Sequence, residues 1–170
     1  MSDAGAGGPL RVAVLGAGIR GAEIYGRTLE ELGDAVRVVA VAEPDADRRA
    51  RFARRFDLDE RAAFDDWRPL LDHGPAIDLA IVATPDAVHV EPAVAALRRD
   101  LHVLLEKPIA PTPEGVRAVA AAAASSRGTV SVAHVLRHTP FFRTLMRLLS
   151  EGAIGRPIGI EHVENVGFWH

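Results

Sequence analysis

Five short, continuous runs of Val, Ile, Leu and Ala recur along the chain and constrain its fold more than any other feature. Continuous rather than alternating apolar runs are typical of strands that are buried on both faces. Segments with helical spacing of apolar residues, such as Val90, Val94 and Leu97, lie between the runs. The pattern predicts an α/β fold with a doubly wound, mainly parallel sheet and right-handed crossovers. The runs cover residues 10–16, 36–43, 77–85, 101–108 and 129–135.

Composition excludes several classes of protein. A chain of 170 residues is long enough to bury a core, and its net charge of −3 lacks the basic excess of a nucleic-acid or membrane-surface binder. It contains no cysteine, which excludes disulfides and thiolate chemistry, and we expect no metal site. No apolar run approaches the roughly 18 residues that span a bilayer. These observations predict a cytoplasmic protein that binds neither nucleic acid nor membrane.

The first run leads into a glycine pattern, G-x-G-x-x-G, formed by Gly16, Gly18 and Gly21. The pattern alone is weak, but here it follows a predicted strand and opens a predicted helix, as in dinucleotide-binding (Rossmann) folds. Gly16 would permit a tight turn, Gly18 a close approach to a pyrophosphate, and Gly21 close packing of helix on strand. Ile19 and Arg20 complete the predicted cofactor-binding loop. The alternative is a doubly wound fold whose glycine turn binds no nucleotide.

An acid follows at the end of the second predicted strand, as this fingerprint requires. Glu43 lies in the segment VVAVAEP, where a carboxylate accepts hydrogen bonds from a ribose 2′-hydroxyl and repels a 2′-phosphate. The acid predicts NAD as the preferred cofactor. NADP stays possible because Arg48 and Arg49 follow closely and could hold a 2′-phosphate.

The third run ends in a candidate turn, at the position where ligands of parallel sheets bind. Thr84, Pro85 and Asp86 predict a tight turn, and His89 lies one turn into the following helix. All four are candidate cofactor-binding residues. The simpler alternatives are that Asp86 only caps the helix and that His89 has no special role.

Glu106 and Lys107 end the fourth run, in the segment LLEKPIA, and should face the same crevice, so both are further candidate cofactor-binding residues. Lys107 is the only lysine of the chain; all other residues in the count of 20 Lys and Arg are arginine. A lysine beside a nicotinamide can hydrogen-bond a substrate hydroxyl and ease its loss of a proton, which arginine does poorly. A GC-rich gene that encodes few lysines is the competing explanation.

Taken together, the motifs VAVLGAGIRG, IVATPDAVHVEPAVAAL, HVLLEKPIA and EGAIGRPIGIEHVENVGFWH resemble the N-terminal part of the glucose–fructose oxidoreductase / inositol dehydrogenase / MocA family. The resemblance covers nearly the whole chain. It implies an NAD(P)-dependent oxidoreductase acting on a sugar, cyclitol or related polyol. It also implies that Lys107 contacts the substrate as the catalytic lysine, that Pro85 and His89 lie beside the cofactor, and that the peptide before Pro108 is cis.

The chain departs from the family pattern in one respect. Family enzymes carry a catalytic D-x-x-x-H pair in a C-terminal domain, and no aspartate of this sequence has a histidine four positions later. We therefore expect a truncated chain, inactive alone, whose longer form is a homo-oligomer. A non-catalytic nucleotide-binding module is the alternative. The expected organisation is a flexible N-terminus (1–9), a dinucleotide-binding domain (10–138), and a linking helix with the first strand of an α+β substrate domain (139–170).

Overall fold

The computed structural model of the protein describes residues 8–165. The chain divides into two compact units between Ala133 and His134, ahead of the domain end predicted at residue 138. The first unit is built on one six-stranded sheet with the order β3-β2-β1-β4-β5-β6. Its strands are β1 (Leu10–Leu15), β2 (Val36–Ala42), β3 (Ala63–Phe64), β4 (Leu79–Val82), β5 (His102–Leu105) and β6 (Val130–Val132).

Every strand pairing is parallel, which confirms the predicted sheet. β1 lies between β2 and β4, so the strand order reverses on either side of it. The carboxyl end of such a switch point is where doubly wound sheets bind ligands. The first glycine of the predicted loop, Gly16, follows β1 directly.

Helices connect successive strands. A π-helical segment, Ile19–Tyr25, runs without a break into α1, Gly26–Glu31. The others of the first unit are α2 (Ala46–Arg55), α3 (Trp67–His73), α4 (Val90–Leu97) and α5 (Pro113–Ser125). α5 begins as the sequence predicts, because Thr112 Oγ1 accepts a hydrogen bond from the Gly115 amide at 3.2 Å and Pro113 occupies the first turn.

Two apolar clusters cover the two faces of the sheet. Successive side chains of a strand point to opposite faces, and in β1 the side chains of Val12 and Val14 enter one cluster while those of Ala13 and Leu15 enter the other. All four are fully buried. The burial of both faces explains why the strands appear in the sequence as unbroken apolar runs.

The second unit contains a short 3₁₀ turn, Val135–His138, and α6, Pro140–Ser150, which lies where a linking helix was expected. The strand expected after this helix, within 139–170, is not formed in residues 157–165, which are exposed and form neither helix nor strand. A strand needs a neighbour to pair its backbone groups, and the described part of this unit provides none. Residues 1–7 and 166–170, which include most of the predicted flexible N-terminus, lie outside the described range.

Candidate cofactor site

The glycine loop has a shape that only glycine allows at two of its three positions. Gly16 has a φ of +96°, and a Cβ there would lie 2.7 Å from the carbonyl oxygen of Ala83. A Cβ at Gly21 would lie 1.8 Å from the carbonyl oxygen of Gly16, so the helix could not approach the strand. At Gly18 the nearest atom to a Cβ would be Arg48 Nη1, 4.0 Å away. Gly18 therefore faces open space.

That space is a cleft of about 1260 Å³ at the carboxyl end of the sheet. Seven of the predicted cofactor residues line it: Gly16, Gly18, Ile19, Arg20, Glu43, Thr84 and Pro85. The other five lie outside its wall: Gly21, Asp86, His89, Glu106 and Lys107. The cleft thus brings together the glycine loop, the acid after β2 and the turn after β4.

Glu43 is tied to the glycine loop. Its Oε2 accepts a hydrogen bond from the Ala17 amide at 2.7 Å, and its Oε1 accepts one from the Asp45 amide at 3.1 Å. Only 6% of the residue is exposed. Each carboxylate oxygen has lone pairs beyond the one used here. The acid can therefore hold the loop and still accept a hydrogen bond from a ligand in the cleft.

Cations also line the cleft near the loop. Arg48 and Arg51, from the first turns of α2, join Arg20 in its wall. The Arg49 guanidinium instead donates to the carbonyl of Glu43 at 2.6 Å, so it serves the backbone after β2. A donor-rich wall beside an open glycine loop suits the phosphates of a dinucleotide.

The turn after β4 buries a histidine. His89 is 1% exposed, its Nδ1 lies 3.2 Å from Thr84 Oγ1, and its Nε2 has no hydrogen-bond partner among residues 8–165. Burial lowers the pKa of His89, against the opposing charges of Asp86 and Glu106. His89 is therefore a buried residue that contacts Thr84 of the turn and does not line the cleft.

The suggestion that Asp86 caps the following helix is wrong. His89 is the residue that precedes α4, and α4 begins without a side-chain cap. Asp86 instead opens a short 3₁₀ turn, Asp86–Val88, so it lies too early in the chain to cap α4. Its Oδ1 lies 3.5 Å from His89 Nε2.

Glu106 and Lys107 follow β5, with Glu106 buried and Lys107 exposed. Glu106 Oε1 accepts a hydrogen bond from the Tyr25 hydroxyl at 2.8 Å, and Oε2 accepts one from the Lys107 amide at 3.1 Å. Arg20 Nε lies 3.7 Å from the same Oε1. The Lys107–Pro108 peptide is cis, as the resemblance implied.

Two contributors to this region were missed from the sequence. Tyr25, the only tyrosine of the chain, reaches Glu106 from the helix after the glycine loop. Trp67 lies in the cleft wall, with the Arg68 guanidinium 4.4 Å above its ring. A lone aromatic residue close after the glycine loop was a usable signal for Tyr25. Nothing in the local pattern around Trp67 distinguishes it from a core residue.

Within residues 8–165, no group of three or more His, Asp or Glu side chains is arranged to hold a metal ion. The same range contains no helix with the length and apolar character needed to cross a membrane.

Known proteins share this architecture. Inositol 2-dehydrogenase of Streptomyces avermitilis is 35% identical over 150 residues, which are 88% of this chain and 43% of that protein. Levoglucosan dehydrogenase of Pseudarthrobacter phenanthrenivorans is 36% identical over 71% of this chain and 30% of its own length. The solved structure of KijD10, a 3-ketoreductase from Actinomadura kijaniata in complex with NADP, superposes with a TM-score of 0.74 at 28% identity. That match covers 86% of this chain and 45% of KijD10.

This chain thus spans less than half the length of the relatives it matches. A family profile, GFO_IDH_MocA, described as "Oxidoreductase family, NAD-binding Rossmann fold", matches residues 10–134. That range includes the glycine loop, Glu43, the turn after β4 and Lys107. The chain belongs to the GFO_IDH_MocA family of oxidoreductases and carries its NAD-binding Rossmann fold.

Proposed function

We propose that this chain is the dinucleotide-binding part of an NAD-dependent oxidoreductase that acts on a hydroxyl or carbonyl carbon of a sugar, cyclitol or related polyol. The proposal rests on the open glycine loop at the switch point of the sheet, whose Ala17 amide donates a hydrogen bond to Glu43. The substrate class is supported by relatives named inositol 2-dehydrogenase and levoglucosan dehydrogenase.

The residues of the cleft fit a dinucleotide. A bound nicotinamide cofactor would supply the acceptor or donor of hydride. Gly18 leaves room for a pyrophosphate against the backbone, and Arg20 and Arg48 supply positive charge at its edge. Glu43 offers carboxylate oxygens to the adenosine ribose, so the chain itself orients the ligand along the carboxyl end of the sheet.

Lys107 is our candidate for the catalytic residue. It is exposed at the end of β5, and its backbone amide is anchored to the Glu106 carboxylate. An ammonium group placed beside a substrate hydroxyl donates a hydrogen bond and stabilises the charge that develops as the proton leaves. Lys107 would therefore act on the substrate oxygen while the cleft holds the cofactor.

We propose that NAD is preferred over NADP. Glu43 is buried beside the loop, and a carboxylate there repels a 2′-phosphate. Arg48 has the opposite tendency, and the KijD10 structure contains NADP. The balance favours NAD because backbone amides at 2.7 Å and 3.1 Å hold Glu43 in place, whereas Arg48 is exposed.

Nicotinamide fluorescence titrations with NADH and with NADPH test the proposal on this chain. We expect NADH to bind more tightly than NADPH. Glu43→Gln should reduce that preference roughly tenfold or more, because a hydrogen bond to a charged group contributes about 1.5–3 kcal/mol. Glu31→Gln removes the same charge from an exposed site outside the cleft wall and should leave both affinities unchanged. A folded chain that binds neither nucleotide would contradict the proposal.

A non-catalytic nucleotide-binding module is the second candidate. Within these 170 residues no aspartate has a histidine four positions later, which is the spacing that the family resemblance implies for the catalytic pair. The two candidates differ in turnover, so the chain should be incubated with NAD⁺ and a panel of polyols that includes myo-inositol while absorbance at the NADH band is followed. Steady NADH formation would exclude the module; nucleotide binding without turnover agrees with both candidates, because the dinucleotide-binding part of an enzyme is expected to be inactive alone.

A further inference from the structure

Two side chains from the glycine-loop helix converge on the acid that precedes Lys107. The Tyr25 hydroxyl donates to Glu106 Oε1 at 2.8 Å, across a separation of 81 positions in the chain. Arg20 Nε lies 3.7 Å from the same oxygen. The other oxygen of Glu106 accepts the Lys107 amide at 3.1 Å. One carboxylate therefore joins the cofactor loop to the candidate catalytic lysine.

This carboxylate depends on its partners because it is almost fully buried. Glu106 is 7% exposed, and an ionised carboxylate in such a place is costly unless it is paired or hydrogen-bonded. Burial and then the hydrogen bond to Glu106 raise the pKa of Tyr25, so its phenol keeps the proton that it donates. Arg20 is half exposed and separated from Glu106 by more than a hydrogen-bond distance, so it is the weaker of the two partners.

The direction of Tyr25 follows from the π-helical segment that it ends. The amide of Gly26 donates to the carbonyl of Gly21, an i→i−5 bond in place of the i→i−4 bond of an α-helix. The wider turn sets the angle at which Tyr25 leaves the helix. π-Helical turns within α-helices are frequent at functional sites.

The backbone amides of Glu106 and Lys107 are held differently, the first by the sheet and the second by the Glu106 side chain. The Glu106 amide donates to the carbonyl of Val82 at 3.0 Å, which continues the ladder between β4 and β5. The Lys107 amide instead donates to the side chain of Glu106. The orientation of the peptide that carries Lys107 therefore depends on the Glu106 rotamer, which Tyr25 and Arg20 hold.

We propose that Tyr25 is a positioning residue that, together with Arg20, couples the glycine loop to Lys107 through the Glu106 carboxylate. Arg20 lines the cleft as well as facing Glu106, so a dinucleotide phosphate competes for its charge. Binding of the cofactor then changes how Glu106 is held, and Lys107 responds. The proposal rests on the proposed function, which places the cofactor in the cleft and the substrate at Lys107.

The single lysine makes a direct test possible. A chain labelled only with [¹⁵N]lysine gives one backbone amide resonance, that of Lys107. We expect this resonance to move when NADH saturates the wild-type chain. In Tyr25→Phe it should start from a different chemical shift, because the hydrogen bond to Glu106 is lost, and its response to NADH should fall to less than about half.

Three further measurements keep the result interpretable. Tyr25 does not line the cleft, so Tyr25→Phe should change NADH affinity by less than about threefold. Thr28→Val removes a hydroxyl one turn later, where exposed Thr28 donates to the carbonyl of Ile24, and should leave the lysine resonance at its wild-type position. Arg20→Gln, an exposed change that does not threaten folding, should also shift the lysine resonance.

The possible failures are distinguishable. A wild-type chain that shows no NADH binding by fluorescence contradicts the proposed function. NADH binding with a lysine resonance that does not move overturns the inference. So does a lysine resonance that Tyr25→Phe and Arg20→Gln both leave unchanged.

Discussion

The carboxylate of Glu43 accepts the amide of Ala17 at 2.7 Å, although the two residues lie 26 positions apart. Ala17 is 3% exposed and lies within the glycine loop, so this bond satisfies a buried donor that would otherwise have no partner in the turn. The acid that the sequence suggests for ribose recognition is also a structural part of the glycine loop. We therefore expect loss of Glu43 to affect folding as well as nucleotide affinity.

Replacement of this acid by alanine should separate the structural role from the binding role. Glu43→Ala leaves the Ala17 amide buried without an acceptor, and we expect the free energy of unfolding to fall by about 1–3 kcal/mol. Glu43→Gln retains one carbonyl oxygen and should cost less. Urea unfolding followed by circular dichroism measures both. Equal stability of the alanine variant and the wild type would show that the bond to Ala17 contributes nothing.

Replacement by alanine should impair folding at Gly21 but nucleotide binding at Gly18. Gly21→Ala places a Cβ 1.8 Å from the carbonyl oxygen of Gly16, so we expect severe destabilisation or failure to fold. Gly18→Ala meets nothing closer than 4.0 Å and should fold normally, yet lose at least about tenfold in NADH affinity because the methyl group occupies the phosphate position. Gly159→Ala, which meets nothing within 4 Å, is the control. Wild-type NADH affinity in Gly18→Ala would place the pyrophosphate elsewhere.

The Tyr25 phenol should titrate above its ordinary value of 10. Removal of its proton would create a phenolate in a half-buried site beside the Glu106 carboxylate, so the folded state disfavours that loss. Glu106→Gln removes the adjacent negative charge and should lower the pKa toward the ordinary value. Ultraviolet difference titration reports this residue alone, because the chain has no other tyrosine. An unchanged titration curve in Glu106→Gln would contradict the contact.

Low pH should lower the free energy of unfolding, in part because the folded chain buries His89 in its neutral form. Burial holds the pKa of His89 below its ordinary value of 6.5, so the unfolded chain takes up a proton at this position before the folded chain does. The stability contribution of the neutral ring is complete above pH 6.5. It is lost as the pH falls below that value toward the lowered pKa, by at most about 1.4 kcal/mol per pH unit.

The measurement is urea unfolding at pH 7.5 and pH 5.0 in the wild type and in His89→Gln. The difference between the two pH values should be smaller in the variant, which has no ionisable group at this position. His73→Gln, a change at an exposed histidine, is the control variant. A larger difference in His89→Gln than in the wild type would show that the sign is wrong.

The sheet could be predicted from the sequence because each strand is buried on both faces and is therefore apolar throughout. The short β3, over Ala63–Phe64, lies outside the five apolar runs and is the strand that they did not predict. The tight turn at Gly16 and the position of Glu43 beside the glycine loop could likewise be predicted, since both depend on local conformation and on distance along the chain. These features are encoded by neighbours in sequence.

The support of Lys107 could not be predicted in the same way. The bond between Tyr25 and Glu106 joins positions 81 residues apart and depends on an irregular helical turn. The burial of His89 and the position of Asp86 outside the cleft wall depend on a 3₁₀ turn, Asp86–Val88, where a simple helix start was expected. Side-chain direction at irregular turns is decided by tertiary packing, which periodicity does not report.

The number of residues in the π-helical segment determines how this site is built. Between Gly18 and Gly26 the helix holds one residue more than an α-helical path would need. Deletion of a single residue there would restore α-helical hydrogen bonding and leave Gly21 and Leu29 in their packed positions on either side. The deletion would change the orientation of Tyr25, which faces Glu106. We therefore expect a one-residue deletion in this helix to alter the site while the fold survives.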